Sequence, residues 1–333
     1  MVKGNSTIYD VAELAGVSIA TVSRVINNPS RVSLASKEKV HEAMKKLDFE
    51  PKAEAVARAR RNFKRIGVIT PFLTSPSFVQ RIRGITNALA STEYELIIYS
   101  IETSEQLLDY YKSLPVTKKI DGLIILALPI SKESVQRFTE HGIPVVLVEI
   151  EHPGLSGIQI NNKVGGAMAA SYLVEKGYRN LGFIGEKGQP AYSLHATDQR
   201  FIGFREELSK RGVPLNEKNI IFHYPGIRKT TAAVKDVIKN AEYPVAFFAA
   251  SDLEAVSVIK AARELNLKIP QELAVIGFDD IDLADYMDIT TISQSLDESG
   301  RAAVRLLFER MKQPESVPIN VVLDLRIFER LTT

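Results

Sequence analysis

The sequence predicts a small all-α head joined to a larger α/β core of two doubly wound lobes. Three observations carry this. Apolar residues recur at helical spacing through the first fifty positions, around a sharp break at Ala15-Gly16-Val17. From residue 66 the period changes to short β-branched runs separated by amphipathic helical patterns. Charge divides at the same place. Residues 1–65 hold 13 Lys+Arg and 7 Asp+Glu, and the rest hold 29 and 33, so a head of net +6 precedes a body of net −4.

The head elements follow in order. Thr7 is placed to cap a first helix, with Ile8, Val11, Leu14 and Ala15 at helical spacing. Gly16 supplies the left-handed residue that ends it. Ser18 caps a second helix whose Val22, Val25 and Ile26 point inward, leaving Ala20, Arg24 and Asn27 on the outer face. A third helix starts at Ser33 and contributes Val40, Met44 and Leu47. Such a unit, about 45 residues long, is near the lower size limit for a domain without staples. It is either a packing module with Arg24 as a solvated charge, or a helix-turn-helix whose second helix enters the major groove of DNA. The basic charge favours the second, because a basic surface releases counterions from a phosphate backbone.

In the body, strands are expected at IGVIT (66–70), GLIIL (122–126), PVVLVE (144–149), LGFIG (181–185), VAFFAAS (245–251) and LAVIGFDD (273–280). SFVQRIRGITNALA, GGAMAASYLVEKG, RFIGFREELSKRG and EAVSVIKAARELN read as the covering helices. That is more units than one sheet needs, so two lobes are expected. Doubly wound sheets bind ligands beyond the carboxyl ends of their strands. The residues there include Phe72, Ser75, Phe78, Glu149, Arg200, Ser251, Asp252, Asp279 and Asp280, with Gln294 further on. Carboxylates and an arginine among aromatic rings suit a polyol. Asp252 and Asp280 also read as helix caps, and Phe72 and Phe78 as core residues.

Composition narrows the function. The 333 residues allow two or three domains. No apolar run reaches the roughly 20 residues of a membrane span, and MVKGNSTIYD has no apolar signal segment, so a cytoplasmic location is expected. With no cysteine, thiolate zinc sites and cysteine nucleophiles are excluded, and the histidines at 41, 141, 152, 195 and 223 lack metal-ligand spacing. There is no GxxxxGK[ST], HExxH or GxSxG. Adjacent Asp279 and Asp280 do not supply the opposed carboxylates of a glycosidase. No enzyme activity, cofactor or metal is expected.

TIYDVAELAGVSIATVSRVINN and VSLASKEKVHEAMKKLDFEP resemble the lactose-repressor (LacI/GalR) family of bacterial transcription regulators, and the resemblance continues to the C-terminus. Ala-Gly-Val-Ser followed by Thr-Val-Ser-Arg-Val is its most specific part. It implies a DNA-binding head at 1–50, a hinge at 51–63, and an effector-binding, dimerising core at 64–333 with the fold of periplasmic sugar-binding proteins. The chain would cross between lobes near 161, 290 and 321, giving lobe one about 64–160 plus 291–321 and lobe two about 161–290 plus 322–333. The DNA-contacting positions map onto Thr7, Tyr9, Ser18, Ile19, Ala20, Thr21, Ser23, Arg24, Asn27 and Arg58. Effector contacts map onto Phe72, Ser75, Phe78, Glu149, Asn161, Arg200, Ser251, Asp279 and Gln294.

Departures from the family pattern carry information too. Glu149 stands where the family often has aspartate, Ser251 where it often has asparagine, and Ile227 replaces a common aromatic. The loop 186–197 aligns poorly, leaving Tyr192 and His195 as open candidates. Arg58 replaces a leucine that wedges between base pairs; arginine suits a narrow A/T-rich minor groove or a phosphate instead, so a smaller operator kink is expected. The implied function is a homodimeric repressor of sugar-utilisation genes, binding double-stranded operator DNA under control of a small molecule, expected to be a sugar. A purine- or nucleoside-responsive regulator is the alternative. A plain sugar-binding protein would leave the basic head unexplained.

Overall fold

The computed structural model describes residues 7–27, 29, 32–49, 63–187, 190, 192, 194–223 and 226–333. The chain divides into two compact units, Met1–Arg65 with Lys119–Asp121, and Ile66–Lys118 with Gly122–Thr333.

The first unit contains α1 (Ile8–Ala15), α2 (Ile19–Asn27) and α3 (Leu34–Lys46). Thr7 and Asp10 form a reciprocal capping box on α1, which ends at Gly16 with φ 64°. The Ser18 hydroxyl accepts from the Thr21 amide at 3.2 Å, and Ser33 caps α3. Val11, Ala12, Ala15, Val22, Val25, Val40 and Ala43 make the core, with Met44 and Leu47 packed at its edge. Leu14, expected inside, is 50% exposed. Positions 8, 11, 12 and 15 form the inward i, i+3, i+4, i+7 stripe, and Leu14 falls beside it.

The second unit holds two six-stranded sheets. The first is built from β1 (Arg65–Thr70), β2 (Glu95–Ser100), β3 (Gly122–Leu126), β4 (Val145–Val148), β5 (Ser156–Gln159) and β11 (Asn320–Val322), in the order β11-β5-β4-β3-β1-β2. It carries α4 (Pro76–Leu89), α5 (Ser104–Thr117), α6 (Lys132–Glu140) and α12 (Leu296–Lys312). The second is built from β6 (Asn180–Glu186), β7 (Ile220–His223), β8 (Val245–Ala249), β9 (Leu273–Asp279), β10 (Thr291–Ser293) and β12 (Arg326–Phe328), in the order β12-β10-β9-β8-β6-β7. Its helices are α7 (Asn162–Glu175), α8 (Ala196–Lys210), α9 (Ile227–Ile238), α10 (Asp252–Glu264) and α11 (Asp282–Tyr286). Strands β3, β4, β8 and β9 are buried throughout, as continuous apolar runs in parallel sheets should be.

One crossover differs from expectation. β10 pairs parallel with β9, Thr291 opposite Gly277, so the chain leaves the second sheet after Ser293, three residues beyond the crossing expected near 290. A three-residue strand is too short to announce itself by periodicity.

The sheets repeat each other: β5-β4-β3-β1-β2 corresponds to β10-β9-β8-β6-β7, and α4 after β1 corresponds to α8 after β6. In both lobes a helix pair crosses on glycine. A Cβ added at Gly84 of α4 would lie 2.0 Å from the Asp297 carbonyl oxygen of α12, and one at Gly203 of α8 would lie 1.9 Å from the Lys163 carbonyl oxygen of α7. These helices touch backbone to backbone, which only glycine permits. Among the described residues no helix is long and apolar enough to cross a membrane.

Candidate functional site

On the head, α2 presents Ile19 (43% exposed), Ala20 and Arg24 outward, while Val22 and Val25 are buried. Tyr9 on α1 is 66% exposed; Thr21 and Ser23 are partly covered. Thr7 and Ser18 spend their hydroxyls on local bonds, to Asp10 Oδ2 at 2.7 Å and to the Thr21 amide and hydroxyl. Arg58 and the side chain of Asn27 lie outside the described residues. A short apolar edge beside an exposed guanidinium can meet thymine methyls and the O6 and N7 of guanine.

In the body, several sequence-predicted residues meet through one that the sequence reading missed. Arg200, buried on α8, lies 3.7 Å above the Phe278 ring centroid. It donates to Asn162 Oδ1 (2.8 Å), to the Ala250 carbonyl (2.5 Å) and to Asp279 Oδ1 (3.4 Å). Gln294 donates to the same Asp279 oxygen at 2.6 Å and accepts from Arg81 at 3.2 Å. Arg81, on α4 and 1% exposed, donates to Glu149 Oε1 at 2.6 Å and to the Ser299 hydroxyl at 2.9 Å. The result is one polar chain, Glu149–Arg81–Gln294–Asp279–Arg200, running from one lobe to the other.

Its two ends are equivalent. Arg81 and Arg200 occupy corresponding helices, each three residues before the glycine of its helix crossing, in Arg81-Ile82-Arg83-Gly84 and Arg200-Phe201-Ile202-Gly203. Glu149 directly follows β4, and Asp279 ends the corresponding strand β9. Each lobe thus carries one buried arginine–carboxylate pair, and Gln294 joins them.

The segment around β9 is written for this arrangement. Gly277 leaves room for Asp252, whose Oδ1 would sit 2.3 Å from a Cβ there. Phe278 lies under Arg200 and Asp279 pairs with it, while Asp280 turns away to Arg330 at 3.0 Å. Phe72, Ala127, Glu149, Asp279 and Asp280 all have positive φ, between 48° and 114°, at the carboxyl ends of β1, β3, β4 and β9. Non-glycine residues held in that region concentrate at functional sites.

Burial pushes the Asp279 carboxyl up to about 6; Arg200 and Gln294 pull it down, while Glu149 and Glu254 push the same way as burial. Burial also raises Asp252, which accepts from the Thr291 hydroxyl and the Ile281 amide. Asp252 is therefore a buried structural carboxylate. Ser251 and Asn161 are helix N-caps, accepting from the amides of Glu254 and Val164, and it is Asn162, not Asn161, that touches Arg200. Phe72, Ser75 and Phe78 lie together where β1 meets α4, the rings edge to face at 5.9 Å with Arg81 over Phe78. Tyr192 donates to the Glu102 carbonyl at 3.0 Å, and exposed His195 lies 3.6 Å from Asp198. A second bridge joins the lobes: Arg83 holds Asp297 of its own lobe and Asp282 of the other, and Gln80 accepts from the Asp282 amide.

A helical head with an outward arginine, followed by two linked lobes that converge on a buried polar site, defines a ligand-responsive DNA-binding regulator. The comparisons agree. A family model described as bacterial regulatory proteins, lacI family, matches residues 7–52, and one described as a periplasmic binding protein-like domain matches 170–333. The ribose operon repressor of Escherichia coli K12 is 32% identical, over 93% of this chain and 94% of that protein. Among solved structures, the lac repressor dimer bound to operator and the anti-inducer ONPF aligns with TM-score 0.80 at 25% identity, covering 99% of both chains. A CelR–cellobiose complex aligns with TM-score 0.69 at 26% identity, covering 98% of this chain and 100% of that one. The chain belongs to the lacI family of bacterial regulatory proteins, and is a DNA-binding transcriptional regulator and not an enzyme.

Proposed function

We propose that this protein is a homodimeric repressor of sugar-utilisation genes, acting in the cytoplasm where its operator lies. Residues 1–50 bind DNA, 51–63 form the hinge, and 64–333 bind the effector and dimerise. A two-fold dimer presents two heads to a pseudo-palindromic operator. The polar chain from Glu149 to Arg200 carries the proposal for the effector: it offers charged groups from both lobes beside the Phe72–Phe78 pair, the combination that grips hydroxyls and C–H faces of a polyol. The names of two relatives, a ribose operon repressor and a cellobiose complex, point the same way. Effector bound between the lobes favours one arrangement of them, so DNA and effector alter each other's affinity by the same factor.

The test is a thermal-shift panel of pentoses, hexoses, disaccharides and purines on the full chain, followed by operator binding with each hit. A sugar should raise the melting temperature and change operator affinity, and Arg200→Ala should abolish both effects. A purine hit with no sugar hit would replace the sugar reading by the purine one. An undiminished response in Arg200→Ala would remove that residue from the site.

A further inference from the structure

The polar chain leaves one group of ionisable side chains unused. Glu186 ends β6 and His223 ends β7, paired in register, and Glu254 lies in the first turn of α10 after β8. His223 Nε2 is 3.3 Å from Glu254 Oε1, and its Nδ1 is 2.9 Å from the Thr230 hydroxyl. Glu254 is 6% exposed, and its Oε2 is buried with no hydrogen-bond partner among the described residues. Leaving a buried carboxylate oxygen without a donor costs more than most contacts return, so this atom calls for one.

Charge shows what kind of donor. Arg81 is matched by Glu149, Arg200 by Asp279, and His223 stands against Glu254. Glu186 faces only His223, its register partner, which serves Glu254 as well: among the described residues no arginine or lysine pairs with Glu186, and burial and Glu254 raise its carboxyl while His223 lowers it. The Ala250 carbonyl that accepts from Arg200 lies four residues before Glu254, so the group joins the Arg200 site through the turn between β8 and α10. β9, β8 and β6 are neighbours, so the two ends lie two strand spacings apart, about 10 Å, which is longer than one sugar ring.

We propose that Glu186, His223 and Glu254 form the far end of the effector site and take a protonated amine, so that the effector is an amino-bearing sugar longer than one ring. This rests on the reading of the strand ends as the effector site. Arg200 and Asp279 hold hydroxyls at the near end, and the ammonium lies between Glu254 and Glu186, replacing the missing donor and balancing the extra negative charge.

The experiment compares the full chain with chitosan disaccharide, its di-N-acetylated form and cellobiose at equal millimolar concentration, by thermal shift and then calorimetry, with operator binding followed on the same preparation. The free amine should stabilise most. Glu254→Gln should cut that preference about tenfold or more in Kd. Glu186→Gln, on a half-exposed residue that tolerates change, should cut it less. Equal or stronger stabilisation by cellobiose or the acetylated sugar overturns the amine end and leaves the sugar reading standing. A preference that survives both substitutions, or no response to the amine, overturns it too. If the wider sugar panel also fails, the effector reading falls with it, while operator binding reports separately on the head.

Discussion

Replacing Arg81 by methionine tests the linked site most directly. The change keeps the apolar stem and deletes a guanidinium that is 1% exposed and donates to Glu149, Gln294 and Ser299. Bulk water cannot substitute, because the Glu149 side chain is itself only 7% exposed. Breaking a buried pair by removing one partner costs about 3–5 kcal/mol, most of it for the stranded charge. Removing the second charge should therefore return stability. Arg81→Met/Glu149→Gln should be about 2 kcal/mol more stable than Arg81→Met alone, and because the coupling energy is that gain plus the cost of Glu149→Gln alone, it should be at least about 2 kcal/mol. Exposed pairs give below about 1 kcal/mol. Urea unfolding of the four proteins, followed by far-ultraviolet circular dichroism through the transition of the body, reads the cycle. A coupling energy under about 0.5 kcal/mol would refute the buried pair and, with it, the equivalence of the two lobes' arginines.

Three other expectations follow from the geometry. Arg24→Ala should cost about 1–3 kcal/mol on the cognate operator and relax preference at one guanine; equal weakening on every sequence, read by fluorescence anisotropy, would make Arg24 a phosphate contact. Asp279 has a folded pKa of about 6 against an ordinary 3.8, so its contribution to stability is present below pH 4 and is lost as pH rises through 6. Asp279→Asn removes that loss, so the melting temperature of the variant relative to wild type should climb between pH 4 and 6 and level off above; a flat difference would contradict the raised pKa. Gly203→Ala must force the α7–α8 backbones apart and should cost about 3 kcal/mol in urea unfolding, whereas an unchanged midpoint would mean that the crossing has slack.

The sequence made the head and central strands legible for a simple physical reason. Their apolar residues recur at the period of the element that buries them, and Thr7, Gly16, Ser18 and Ser33 mark the ends with groups that satisfy the terminal amides or take the left-handed turn. The strands passed over were β2, β5, β7, β10, β11 and β12. Most are three or four residues long, and β2, β11 and β12 lie half-exposed at sheet edges. Asp279, Arg200, Gln294 and Glu149 are legible as candidates because ligand sites follow strand ends. Arg81 is not, because it sits inside a helix where a charge reads as solvated. Its partners Glu149 and Gln294 stand 68 and 213 positions away, beyond any local pattern. The one available signal was the repeated Arg-x-x-Gly in RIRG and RFIG.

The glycine crossings constrain how a signal can travel. Where α4 meets α12 and α7 meets α8, main chain lies on main chain, with no layer of side chains to shear or repack. Each of these helix pairs must then move as one piece. The lobes are joined by three short threads, at 160–162, 293–296 and 322–326, and Arg83 and Gln294 hold bonds across them. On the function proposed above, what an effector changes is the angle between the lobes, and the bonds of Arg83 and Gln294 set the energy that the change costs.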